Sequence, residues 1–148
     1  MLIVKAERKD LQEILDLQYL AYQSEAILLD NFSIPPLKQT LNEVEQEFEN
    51  GVFLKAVDDH DIIIGSVRAN AENGTLHIGK LIVHPNSQGQ GIGTKLLIGI
   101  EKAYPQERYE LFTSDKSVKN IRLYERIGYV KYKEQETAPG LKFIYLQK

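Results

Sequence analysis

Between Thr75 and Tyr104 the chain passes through an apolar strand, a short polar turn, a cluster of glycines and an amphipathic helix. No other stretch limits its fold as much. Leu81, Ile82 and Val83 form a β-branched-rich run suited to a buried strand. Pro85 has no N–H to give to a ladder, so the strand is predicted to end there. Gly89, Gly91 and Gly93 then alternate, and Ile92, Leu96, Leu97, Ile100 and Ala103 follow at helical spacing as one apolar stripe. A helix that opens this way brings unpaired N–H groups and the positive end of its dipole to one point. Such a point suits a phosphate or pyrophosphate. A solvent-exposed turn is the competing reading, but three alternating glycines exceed what a turn needs.

Two nucleotide-binding patterns fail on spacing. A dinucleotide loop needs its third glycine at the sixth position, and counted from Gly89 that position is Thr94. A P-loop needs Gly-Lys-Ser/Thr, whereas Gly93 is followed by Thr94 and Lys95. The pattern that fits is Gln88-x-x-Gly91-x-Gly93 directly after Leu-Ile-Val-His-Pro. It resembles the acetyl-coenzyme A signature of the GNAT N-acetyltransferase superfamily. A second match lies downstream, where Asn120-x-x-x-Tyr124 followed by Gly128-Tyr129 looks like that family's second cofactor helix. The likeness is good over roughly residues 52 to 146 and loose over the first fifty.

Composition sets the remaining bounds. At 148 residues the chain is expected to form a single domain, residues 1–148. With no cysteine, disulfides, thiolate metal sites and a cysteine nucleophile are excluded. Three scattered histidines lack ligand spacing, so no metal is expected. The net charge of −3 argues against general nucleic-acid binding and mildly favours a cationic substrate. No apolar run is long enough for a bilayer, and MLIVKAERKD does not resemble a secretion signal, so the expected location is cytoplasmic.

Read in order, Leu2–Ala6 is a first strand. Asp10 with Glu13 suggests a capping box for a helix running to about Ser24. Residues 26–36 read as a loop closed by Pro35-Pro36. Leu37, Leu41, Val44 and Phe48 define a second helix, stopped by Asn50-Gly51. Strands follow at 52–57 and 62–71, and Asn73-Gly74 is a strong hairpin signal into the strand from Thr75. After the central helix come a strand at 109–113, a short helix capped by Ser117 and ended by Gly128, and a final hairpin of 129–136 with 141–147. The strand–helix–strand unit from Thr75 to Thr113 implies a right-handed crossover between parallel strands. Hairpins join the other strands, so the fold class is α/β with a mixed sheet.

The resemblance implies more: a mostly antiparallel central sheet with one splayed parallel pair, near Val83 and Thr113, and helices on both faces. It implies acetyl-CoA as cosubstrate, with its pantetheine arm in the gap, and no metal. Backbone groups of Leu81 and Val83 would bond the pantetheine amides. An N–H near Leu81 or Ile82 would be the oxyanion donor. Gln88, Gly89, Gln90, Gly91, Ile92, Gly93 and Thr94 would hold the pyrophosphate, and Asn120 the cofactor backbone; an exposed polar residue is the plainer reading of Asn120.

The implied reaction is acetyl transfer to a primary amine by direct attack in a ternary complex. Presenting a lysine-like amine unprotonated at pH 7 costs roughly 4.6 kcal/mol, so a base should matter. In several members a carboxylate four residues before the position of Leu81 does this work; here that residue is His77, and histidine is mostly neutral at pH 7. A histidine merely packed on the sheet is the other reading, with Glu72, Glu110 and Asp30 in reserve. Tyr124 matches the family's proton donor to the leaving thiolate; the other reading is a core aromatic. His84 alternates to the other face of the strand and reads as structural. The acceptor is an amine on a small molecule or a protein, neither a nucleic acid nor a membrane. Dimers are common in the family, so a homodimer is an expected assembly. Transfer of a longer acyl group or to an alcohol, and a silent acetyl-CoA-binding sensor, are the rival readings.

Overall fold

The computed structural model describes all of residues 1–148. In chain order the elements are β1 (Leu2–Lys5), α1 (Leu11–Ala21), α2 (Gln23–Leu29), α3 (Pro35–Lys38), α4 (Leu41–Glu49), β2 (Val52–Val57), β3 (Ile63–Glu72) and β4 (Thr75–Val83). They continue with α5 (Ile92–Ala103), β5 (Arg108–Ser114), α6 (Val118–Ile127), β6 (Val130–Ala138) and β7 (Leu141–Gln147). The strands form one seven-stranded sheet in the order β1-β2-β3-β4-β5-β7-β6. Only β4 and β5 pair in parallel. The mixed sheet expected from the hairpins and the single crossover is present.

Helices cover both faces. On one, Leu96, Leu97 and Ile100 of α5 and Tyr124 of α6 pack against Leu54, Val67, Leu76, Leu111 and Leu146 of the sheet. On the other, Leu11, Ile14, Leu15 and Leu17 of α1 and Val44 of α4 close over Phe53, Val57, Ile63 and Ile82. Each fully buried aliphatic side chain contributes about 1.5–3 kcal/mol relative to exposure. The β3–β4 hairpin turns on Asn73 (φ 50°) and Gly74 (φ 80°), the pair of positive φ angles a two-residue turn of this hand requires.

Several local expectations are corrected. The first helix breaks at Tyr22, and a second, α2, follows over Gln23–Leu29, so residues 26–29, expected as loop, are helical; Asp30 ends it in the left-handed region (φ 51°). The carboxylate of Asp10 accepts from the Glu7 N–H at 2.7 Å, so the box closes one turn earlier than Asp10–Glu13 suggests. Pro35-Pro36 opens α3 rather than closing a loop, because a proline in the first turn gives up no helical bond. The expected helix from Leu37 to Phe48 is two helices, and Thr40 caps the second in a box with Glu43. Ser117 makes no side-chain cap on α6; its hydroxyl donates instead to Glu25 at 2.5 Å.

Gly51 does more than stop α4. A Cβ there would lie 2.4 Å from the backbone oxygen of Ala69, so chain crossing demands its absence. Gly51→Ala is expected to destabilise the fold by about 1–3 kcal/mol. In denaturant titration this reads as a lower midpoint with an unchanged slope.

Candidate active site

The pairing of β4 with β5 runs only from Thr75–Arg108 to His77–Glu110. Beyond that point β5 leaves β4 and pairs with β7. On its other side β4 stays bonded to β3 as far as Val83. The His84 N–H donates to the Ile64 carbonyl at 2.8 Å. By antiparallel alternation, the backbone groups of Ile82 then face β3, and those of Leu81 and Val83 face the gap. The splay expected of the parallel pair is therefore present, with a row of free peptide groups along one wall.

A bulge sets the phase of that wall. Ser66 pairs with Ile82 while Arg68 pairs with Gly79, so Val67 alone faces Lys80 and Leu81. Lys80 adopts φ 45°, a left-handed conformation that costs a side-chain-bearing residue roughly 1–2 kcal/mol. Leu76 and Ile78 point toward α5 and α6 before the bulge, and Leu81 and Val83 do so after it. Ile82 instead joins the core beneath α1 and α4.

The start of α5 meets the same end of β4. A Cβ on Gly93 would lie 3.5 Å from Leu123 of α6 and 3.8 Å from Leu81 and Val83. Gly89 (φ 79°) and Gly91 (φ 78°) turn the loop into the helix. No N–H from Gln88 to Thr94 donates to another backbone group; the first bond of the helix is from Lys95 to Gly91 at 3.1 Å. Seven consecutive residues thus leave their donors, with the positive end of a twelve-residue helix, at the mouth of the gap. Asn120 is exposed near the start of α6, one turn before Tyr124.

His77 and Glu110 form the last pair before the strands part. The imidazole Nδ1 lies 3.0 Å from Glu110 Oε2. Glu110 Oε1 in turn accepts from Arg108 at 2.9 Å and from the Tyr132 hydroxyl. His77 is half-buried, and a neutral ring that donates through Nδ1 keeps Nε2 as a proton acceptor. Of the reserve carboxylates, Glu110 is thus a partner of His77. Glu72 sits by the hairpin turn opposite Thr75, at the far end of β4, and Asp30 is exposed at the end of α2.

Tyr124 is buried on the inner face of α6, edge-on to Tyr129 at 6.3 Å. Burial, with smaller contributions from Tyr22 and Glu25, raises its phenol well above the ordinary value. Tyr22, at the α1–α2 break, is pushed up by burial to about 12. The Glu25–Ser117 bond ties α2 to the start of α6, so this segment crosses from one side of the splay to the other.

Sequence reading did not find a buried polar cluster beside the bulge. Arg68 Nη1 donates to Glu47 (2.9 Å) and Gln39 (3.2 Å), and Nη2 to Gln18 (2.7 Å). Its guanidinium lies 4.5 Å over the ring of Phe53. Lys80 Nζ reaches Glu47 at 3.3 Å. Burial alone would raise the carboxyl of Glu47, but the bond and charge of Arg68, with Lys80 and Gln39, hold it below the usual range. The available signal was one arginine between Val67 and Ala69 in an apolar strand.

A splayed parallel pair, with a glycine-rich helix start at the mouth of the gap, defines an acyltransferase-type fold. The profile described as "Acetyltransferase (GNAT) domain" matches residues 21–148, and the chain belongs to that family of acetyltransferase enzymes. It is 29% identical over 143 residues to S-(2-succino)cysteine N-acetyltransferase of Bacillus subtilis (strain 168), covering 76% of this chain and 87% of the relative. It is 27% identical over 131 residues to UPF0157 protein YqkA of the same organism, covering 88% of this chain but spanning only 37% of YqkA. Among solved structures, an aminoglycoside 6'-N-acetyltransferase complexed with coenzyme A superposes with a TM-score of 0.77 at 20% identity, over 100% of this chain and 96% of that one. No helix is long and apolar enough to cross a membrane.

Proposed function

We propose that this protein transfers the acetyl group of acetyl-CoA to a primary amine by direct attack within a ternary complex. One observation carries the reading: pairing between β4 and β5 stops at His77–Glu110, where the free peptide groups of Leu81 and Val83 and the unpaired N–H groups of residues 88–94 converge. The CoA complex of a structural neighbour supports the cosubstrate, and the name of the succinocysteine enzyme supports a small amino-acid-derived amine as acceptor. Acetyl-CoA supplies the activated acyl group as a thioester.

Each residue then has a defined task. Leu81 and Val83 bond the pantetheine amides as an added strand would. The Leu81 N–H, next to Ile82 and facing the gap, stabilises negative charge developing on the acetyl oxygen. Gln88, Gly89, Gln90, Gly91, Ile92, Gly93 and Thr94 receive the pyrophosphate, and Asn120 bonds the cofactor backbone. His77 Nε2 takes a proton from the acceptor amine, with Glu110 fixing the ring. As the new C–N bond forms and the C–S bond breaks, Tyr124 hydrogen-bonds the departing sulfur. Its raised pKa makes it a weaker acid than a thiol of about 8.5, so net proton transfer from the phenol is uphill and hydrogen bonding is its contribution.

The test is thiol release from acetyl-CoA across a panel of amines, alongside calorimetry of acetyl-CoA binding. Amine-dependent release of free CoA is the expected result. Binding with no turnover on any amine would favour a sensor, and no binding heat at millimolar acetyl-CoA would remove the reading altogether.

A further inference from the structure

The cluster beneath α1 and α4 has unequal hydrogen-bonding capacity. Every acceptor oxygen in it already holds at least one donor. Glu47 Oε1 accepts from Gln39 (2.5 Å) and Lys80 (3.3 Å), and Oε2 from Arg68 (2.9 Å). Gln39 Oε1 accepts from Gln18 and Arg68, and Gln18 Oε1 from Arg68. Glu43, the other carboxylate near Lys80, serves the cap of α4 with Thr40. What is left over is donor: the remaining hydrogens of Lys80 Nζ, and Nε of Arg68, which is buried with no partner. Two cations share the single carboxylate of Glu47. Arg68 is closed off, with 6% of its side chain exposed, but Lys80 keeps 25%. A group that enters here meets donors and positive charge, so it must be an acceptor and an anion.

Lys80 is also where the bulge turns the chain, and it directly precedes Leu81. Its ammonium and the imidazole of His77 both belong to the face of β4 opposite Leu76 and Ile78. We infer that Lys80, held by Glu47 and backed by Arg68, pairs with a carboxylate of the acceptor, so that the substrate class is an amine that also carries a carboxylate. This rests on the transferase reading for the identity of the reacting amine. Its physical basis, surplus donors beside the gap, does not depend on that reading.

The experiment pairs carboxylated amines, α-amino acids among them, with the same compounds in which every carboxyl is a primary carboxamide. Both thiol release from acetyl-CoA and calorimetric binding to the CoA-loaded protein are measured. Wild-type protein is expected to prefer the carboxylated member by about 10- to 100-fold, the worth of one charge-assisted hydrogen bond. Lys80→Met and Lys80→Gln should collapse that ratio, chiefly through KM, and Lys80→Arg should restore much of it. Glu47 remains paired with Arg68 in every variant, and a thermal melt checks that each one folds. A wild type without preference in binding overturns the inference, as does a ratio that survives Lys80→Met. Preferential binding with no thiol release would instead remove the transferase reading and leave the carboxylate site standing.

Discussion

His77→Gln is expected to lower turnover of an amine acceptor by about 100-fold or more, the usual contribution of a positioned base. Glutamine is close in size and can still donate to Glu110, but it cannot take a proton. The binding of acetyl-CoA should change little, since the ring lies in the last paired register of β4 and β5 and the cofactor contacts proposed above begin at Leu81. The pH profile carries the sharper information. A general base must be unprotonated, so the wild-type profile carries an acid limb of its own. In the variant that limb disappears, and only the titration of the acceptor amine remains. Turnover within about threefold of wild type would remove His77 as base, because even the lower bound for such catalysis exceeds that.

Tyr124→Phe is expected to reduce turnover by about 10- to 100-fold, the range of one hydrogen bond to a charged group. The ring, and with it the edge contact to Tyr129, is retained. Stability and acetyl-CoA affinity should therefore change little. Burial keeps the phenol protonated throughout the working range, so the reduction should be constant from about pH 6 to about pH 9. A deficit that varies with pH would instead point to proton transfer through the phenol, and equal turnover would leave Tyr124 a core aromatic.

The parts of this fold that are local in the sequence are legible there. Val83, Pro85, the glycines and the α5 stripe each carry their own physical signal, and the Asn73-Gly74 turn needs no tertiary help. The misses are places where the deciding contact is remote or absent. Ile27 and Leu28 are exposed, so α2 shows no buried stripe to mark it as helix. Ser117 is drawn from its cap by Glu25, 92 residues earlier in the chain. Pro35-Pro36 can close a loop or open a helix, and composition alone does not choose. Thr40-x-x-Glu43 is the exception, a local capping box that the sequence does carry. In the site, the glycine motif and Tyr124 could be read from spacing, but the partnership of His77 with Glu110 depends on a sheet register that only the folded chain supplies. The Arg68–Glu47–Lys80 cluster draws on β3, α4 and β4, and the left-handed turn at Lys80 leaves no trace beyond the glycine before it.

The extra residue in β4 also governs how this strand can change. Strand side chains alternate strictly, so without Lys80 the strand would run unbroken from Ile78 to Val83, with Leu81 and Val83 still toward α5 and Ile82 still beneath α1. Losing that residue costs an ammonium and a left-handed turn but keeps the parity of its neighbours. One more residue beside it would have to be looped out, or Leu81 and Val83 would swing beneath α1 and Ile82 into α5. Insertions should therefore be tolerated in the Asp58–Asp61 turn and rejected at this one point in the middle of the sheet.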